Sequence, residues 1–349
     1  MPTDHIYYDM SLNNTTNAPI TAALFDQRSQ PLVDNPNKYH LSVVRFCIPT
    51  SYIPIFIWPD AGDNTANNNY YSVTIRRAGV DYRTYLTYVC QNTPDDKFNI
   101  ARRFVYSYQQ FIDAINIALN TSFVAAGGTA TIPPYLIFDS VSGLFSIVAE
   151  YAYANNAGEY EIYFNSKLFS FFDNFKVKRL GYDLPNGKDV LIYIQNNGNN
   201  DYKAHAPGFS ASTTNDSYIM TQEYDSLFLW NSARSLVFIS NTVPVANEAL
   251  NVRNSESTST TSTFRKIMTD FEFNIQSGIS NNTLRSYVQY YPQGEYRLIN
   301  LESNGALYTF DVQIFFQTAD LKLYPLMIYP GEYISMKILF RNKEFKKGL

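Results

Sequence analysis

The side chains able to do chemistry in this 349-residue chain are few and scattered. Its three histidines, His5, His40 and His205, have no Cys, His or carboxylate beside them at metal-ligand spacing. Neither a phosphate-cradling glycine loop nor a serine nucleophile elbow is present. The best acid–base candidate is Asp270 with Glu272 in MTDFEFNI. Two residues apart on a strand, the carboxylates share a face, as a jelly-roll glycosidase would use them. The same spacing equally suits a wet strand face opposite Phe271 and Phe273. The expectation is therefore a protein with no catalytic site, no metal and no cofactor.

The elements that position these residues read as β-structure. In FDVQIFFQ, Phe310, Val312, Ile314 and Phe316 alternate with Asp311, Gln313 and Gln317, and in EYISMKILF, Ile334, Met336, Ile338 and Phe340 alternate with Tyr333, Ser335 and Lys337. Period two marks a strand with one face in a core and one in water. Turn signals at Ser303-Asn304-Gly305 and Tyr329-Pro330-Gly331 separate the runs, so residues 286–340 read as an antiparallel meander.

Earlier in the chain, residues 1–37 are polar, with short apolar islands, and read as an N-terminal arm that packs on a domain edge or reaches a neighbour. His40–Ile48 is a strand, with Val44, Phe46 and Ile48 facing one way, and it opens the first part of a β domain at 38–97. In the aromatic run that follows, Pro49, Pro54 and Pro59 remove ladder donors, which confines it to a sheet edge or a subunit contact. Tyr52, Ile53, Phe56 and Trp58 are its interface candidates. Residues 98–180 read as an inserted α+β unit: a helix from Tyr108 to Asn120 with Ser107 and Gln110 as a capping box, then a hairpin about Ser140–Gly143. Residues 181–349 resume the β domain, with strands at Asp189–Gln195, Leu227–Trp230 and Leu236–Ser240 between polar stretches near Asn200 and at 254–263. Many short strands with one helix-bearing insertion indicate an all-β fold, a single jelly-roll sandwich carrying a small α+β domain.

Charge and cysteine content narrow the function. With 27 basic and 31 acidic residues the net charge is -4, so no global field favours a polyanion. The local exception is the C-terminal tail, where Arg341, Lys343, Lys346 and Lys347 form the one expected route to nucleic acid. Two cysteines, Cys47 and Cys90, make no disulfide framework and suit a reducing compartment. The sequence shows no signal-peptide pattern and no apolar run long enough to span a bilayer, so the sequons at Asn13, Asn14, Asn120, Asn215 and Asn281 read as incidental.

The order of segments resembles one known group. SARSLVFISNTVPVANEAL, RKIMTDFEFNI, YYPQGEYRLINLESNGALYTFDVQIFFQ and LYPLMIYPGEYISMKILFRNK are similar to the C-terminal half of penton or minor capsid proteins of polinton-like viruses and virophages. YHLSVVRFCIPTSYIPIF, YSYQQFIDAINIALN, YLIFDSVSGLFSIVAE and EIYFNSKLFSFF resemble the N-terminal half. The resemblance implies a structural protein of the virion, assembled in the host cytoplasm or nucleus. It also implies a homopentamer at the five-fold vertex beside a double-jelly-roll major capsid protein. Another minor capsid position, or loops that bind a host receptor or glycan, are the alternatives.

Overall fold

The computed structural model describes residues 5–59, 70–89, 103–128, 130, 132–154, 159–175, 177–178, 189–194, 217–230, 233–252, 261–272, 287–290, 297–318 and 321–344. Several sequence expectations lie outside the described residues: the loop near Asn200, most of 254–263, His205, Cys90, Lys346 and Lys347. The chain forms two compact units, one from Met1–Ile53 with Ser232–Leu349, the other from Pro54–Asn231.

Among the described residues the first unit has eight principal strands: β1 His5–Asn13, β2 Ala23–Gln27, β3 Tyr39–Pro49, β4 Ala233–Ile239, β5 Ile267–Glu272, β6 Tyr287–Tyr290, β7 Thr309–Thr318 and β8 Tyr333–Asn342. One sheet has the order β1-β8-β3-β6, and the other runs β5-β4-β7 with β2 also on β7. Every pairing is antiparallel: β1 with β8, β2 with β7, β3 with β6, β4 with β5. That nesting of first with last is a long hairpin rolled into two sheets, the jelly roll.

Phe310 of β7 and Phe340 of β8 meet edge to face at 6.1 Å, and Phe46 of β3 lies 5.3 Å from Phe238 of β4. Such pairs fill the space between the sheets and add to simple area burial. The inward alternation of β7 and β8 is as expected, but the two strands are not neighbours in a meander. They lie in opposite sheets, because period two identifies a buried face and says nothing about which strand is the hydrogen-bonding partner. The arm is also part of the fold. β1 pairs with β8 along all nine residues, and β2 then crosses to the other sheet.

β3 contains a bulge that its sequence alternation hides. Lys337 faces Arg45 and Ile338 faces Val43, leaving Val44 as the extra residue. The inward set is therefore Leu41 and Val43 before the bulge, then Phe46 and Ile48 after it, all buried.

The second unit has a five-stranded antiparallel sheet in the order Val177–Lys178, Asp189–Ile192, Tyr160–Asn165, Ser72–Arg77, Val80–Tyr85. A three-stranded sheet joins Ser217–Thr221, Phe145–Glu150 and Tyr135–Phe138. Helix α1, Tyr108–Ala126, packs Phe111, Ile112, Ile115 and Leu119 into the core with Val73, Ile75, Ile162 and Phe164. Its N-terminus is capped as the sequence predicts: the Gln110 amide donates to Ser107 Oγ at 3.1 Å, and the Tyr106 amide donates to Gln110 Oε1. The helix runs six residues beyond Asn120, to a C-terminus where Arg77 donates to the Ala126 carbonyl and the Tyr160 hydroxyl to that of Gly127. Gly128 follows at φ +113°, where a Cβ would collide with that hydroxyl.

The change of texture at 98–180 marks only the middle of this unit. Tyr160–Asn165 finds its sheet partners at Ser72–Arg77 on one side and Asp189–Ile192 on the other, both beyond those limits. Leu227–Trp230, expected as a strand, is a 3-10 turn that buries Trp230.

Candidate assembly surface

The aromatic segment expected to offer contacts to a neighbour is consumed inside the chain. In the first unit Tyr52 and Ile53 are buried, the Ile53 amide closes a turn onto the Thr50 carbonyl, and the Tyr52 ring lies 5.5 Å from Tyr329. In the second, Phe56 and Trp58 are 4 % and 2 % exposed. Phe56 sits 4.8 Å from Phe111 and 5.8 Å from Trp230, while Trp58 sits 5.3 Å from Tyr71. The short Phe56–Ile57 strand pairs with Phe104–Val105. The prolines do keep this run out of long ladders. However, a segment of such high apolar content is satisfied by its own core first, so these four residues are not surface.

The surface is supplied by residues on the outward faces of strands. On the sheet β1-β8-β3, successive rows are set by register. His5 faces Arg341, which faces His40, and His40 in turn faces Asn300. Tyr7 faces Leu339 and Ser42, both of which are buried, and Asp9 faces Lys337 and Arg45. Asp9 holds both cations, Lys337 at 3.1 Å and Arg45 at 3.5 Å, with all three side chains substantially exposed. Lys337 also lies 5.5 Å from the Tyr7 ring.

Arg341, an expected tail residue, belongs to this sheet, and the Lys343 amide extends the ladder to the Lys38 carbonyl. Burial first, and then the Lys343 and Arg341 charges, hold the His40 imidazole below its ordinary range. Exposed aromatic side chains of the unit include Tyr7 and Tyr333 on the β1-β8 pair, and Phe25 and Tyr308, with Phe25 65 % exposed. The outer edge of β1 pairs with no strand among the described residues.

Of the two candidate carboxylates, one is held in an ion pair and the other is exposed at a strand end. Asp270 lies 3.1 Å from Arg297, and exposed Glu272 ends β5. Among the described residues no cluster of His, Cys, Asp or Glu could hold a metal, and no helix is long and apolar enough to cross a membrane.

Two polar residues matter more than their sequence context indicates. Asp311, expected on a wet face, is buried and accepts from the Ser240 and Thr242 hydroxyls at 2.7 Å and from the amides of Asn241 and Thr242. Burial opposes its charge, but these donors outweigh it and hold the carboxyl below the usual carboxylate range. Asn14, the Asn of a sequon, is buried with its amide fully engaged: it donates to the Ala18 and Ile328 carbonyls at 2.8 Å and accepts from Thr16. No local signal marks Asp311, whose partners are 69 to 71 residues away, whereas Asn14 combines a local turn with Thr16 and Ala18 with one distant acceptor, the Ile328 carbonyl.

Comparison with known proteins places this architecture. Structural protein V19 of Sputnik virophage is 29 % identical over 215 residues, 61 % of this chain and 95 % of V19. Uncharacterized protein V18 of the same virophage is 34 % identical over 139 residues, 34 % of this chain and 83 % of V18. A chain in the 3.5 Å cryo-EM structure of the Sputnik virophage superposes with a TM-score of 0.81 at 27 % identity, covering 98 % of each chain. The mavirus penton protein shares the fold, with a TM-score of 0.70 at 17 % identity over 97 % of this chain and 100 % of that one. The family model for the Sputnik minor capsid protein V18/19 matches residues 6–342, and this structural, non-enzymatic chain belongs to that family.

Proposed function

We propose that the protein is a penton subunit that closes into a homopentamer at an icosahedral five-fold vertex, beside double-jelly-roll major capsid subunits. The observation that carries this reading is the fold shared along nearly the whole chain with a penton protein, in a member of a minor capsid family. A five-fold ring needs heterologous contacts, in which one surface of a subunit meets a different surface of the next. The exposed Tyr7, Phe25, Tyr308 and Tyr333, and the edge of β1 that pairs with no strand among the described residues, supply apolar and hydrogen-bonding surface of that kind. Mass photometry of the purified chain tests it: pentamers are expected, and a monomer at every concentration overturns the assignment.

A further inference from the structure

The turn between Leu301 and Leu307 carries the dipeptide Asn304-Gly305, with both residues exposed. It is anchored on either side: the Glu302 amide donates to the Pro244 carbonyl, and Leu307 pairs with Val33. Between these anchors there is room. Among the described residues, and leaving aside its chain neighbours, a Cβ on Gly305 would meet only Ser303 Oγ, at 3.7 Å.

Two hydrogen bonds converge on the dipeptide. Asn37 Nδ2 donates to Asn304 Oδ1 at 2.7 Å, and the Gly305 amide donates to Ser303 Oγ at 3.1 Å. Asn37 is itself fixed, its own amide donating to the Ser303 carbonyl at 3.0 Å and to Asn35 Oδ1 at 3.2 Å. A donor on the side-chain carbonyl oxygen draws electron density from Cγ and stabilises the oxyanion that forms when a nucleophile adds there. An acceptor on the Gly305 amide polarises the N–H that must lose its proton before the nitrogen can attack. Glycine has no Cβ to obstruct that approach.

We propose that Asn304 is a site of spontaneous deamidation, with the Gly305 nitrogen as nucleophile and Asn37 as the group that polarises the reacting carbonyl. The Gly305 nitrogen gives up its proton and bonds to Asn304 Cγ, the Cγ–Nδ2 bond breaks, and ammonia leaves with that proton. Because nucleophile and carbonyl are neighbours in one chain, the step is intramolecular and needs no enzyme. Water then opens the succinimide at either carbonyl, giving aspartate or isoaspartate. Either product adds one negative charge to a chain of net charge -4, and isoaspartate also adds a methylene to the backbone. The change falls where the 303–305 turn is tied to Pro36–Lys38, the turn that leads into β3, so it loosens that tie as the protein ages. Buried Asn14 is the contrast in the same unit: its Nδ2 donates to the Ala18 and Ile328 carbonyls, which holds the leaving nitrogen in place.

The test is peptide mapping by mass spectrometry of full-length protein held at mildly alkaline pH, with fragmentation locating the mass change. A gain of about 1 Da is expected at Asn304, as both aspartate and isoaspartate, while Asn14 keeps its mass. Gly305→Ala, whose Cβ has ordinary clearance, should slow the gain about tenfold. Asn37→Ala removes the donor but keeps the backbone bond to Ser303, and should slow the gain about two- to tenfold, the worth of one hydrogen bond. Asn37→Asp keeps the shape and sets an acceptor against the oxyanion, so it should be at least as slow. No mass gain at Asn304 in wild type, aspartate without isoaspartate, or a rate in Asn37→Ala equal to or above that of wild type overturns the proposal.

Discussion

Asp311 and Thr242 hold each other in both directions across 69 positions of sequence. The Thr242 amide donates to Asp311 Oδ1 at 2.8 Å, and the Asp311 amide donates to Thr242 Oγ1 at 3.1 Å. This exchange pins the turn after β4 to the start of β7, and Ser240 and Asn241 add further donors to the same carboxylate. Asp311→Ala removes the shared acceptor and strands buried donors, so it should cost about 2–3 kcal/mol in urea unfolding.

The same carboxylate carries a pH signature. Its folded-state pKa is lowered, so its contribution is fully present above the unfolded value of about 3.9 and is lost as pH falls through the folded one. Asp311→Asn should lower the melting midpoint at neutral pH, and the gap from wild type should narrow in acid below the ordinary carboxylate range. A gap that stays constant down to strongly acidic pH would show that the charge is not what matters.

Trp230 anchors the core of the second unit. It stacks on Phe145 at 5.1 Å, meets Phe111 edge-on at 5.2 Å, and donates from Nε1 to the Phe171 carbonyl. Trp230→Ala should destabilise by about 3–5 kcal/mol, read as a fall in the thermal midpoint and faster proteolysis within 54–231.

Ser107 is the N-cap of helix α1. Ser107→Ala should cost about 1 kcal/mol, whereas Ser107→Asp should retain most of the stability, both measured by chemical unfolding.

Phe25 projects from β2 with most of its ring in water, so Phe25→Glu should leave the thermal midpoint of the subunit unchanged. If Phe25 lies in the ring contact, mass photometry of this variant should show monomers at concentrations where wild type is pentameric.

Local rules made part of this protein legible without coordinates. Period-two alternation named the buried faces of β7 and β8, the Ser107–Gln110 spacing named the start of α1, and the order of segments pointed to a capsid jelly roll. These succeed because strand pleat, helix pitch and end capping involve residues a few positions apart. Long-range pairing decided the rest. It placed β7 and β8 in facing sheets, drew β1 out of a supposed arm and shifted the phase of β3 at Val44. It also hid Phe56 and Trp58 in a core, and set His5, Arg341 and His40 in one row although they come from both ends of the chain. Alternation says which side of a strand avoids water, but partner and register depend on the summed burial of residues hundreds of positions apart, and only the closed sandwich expresses that sum.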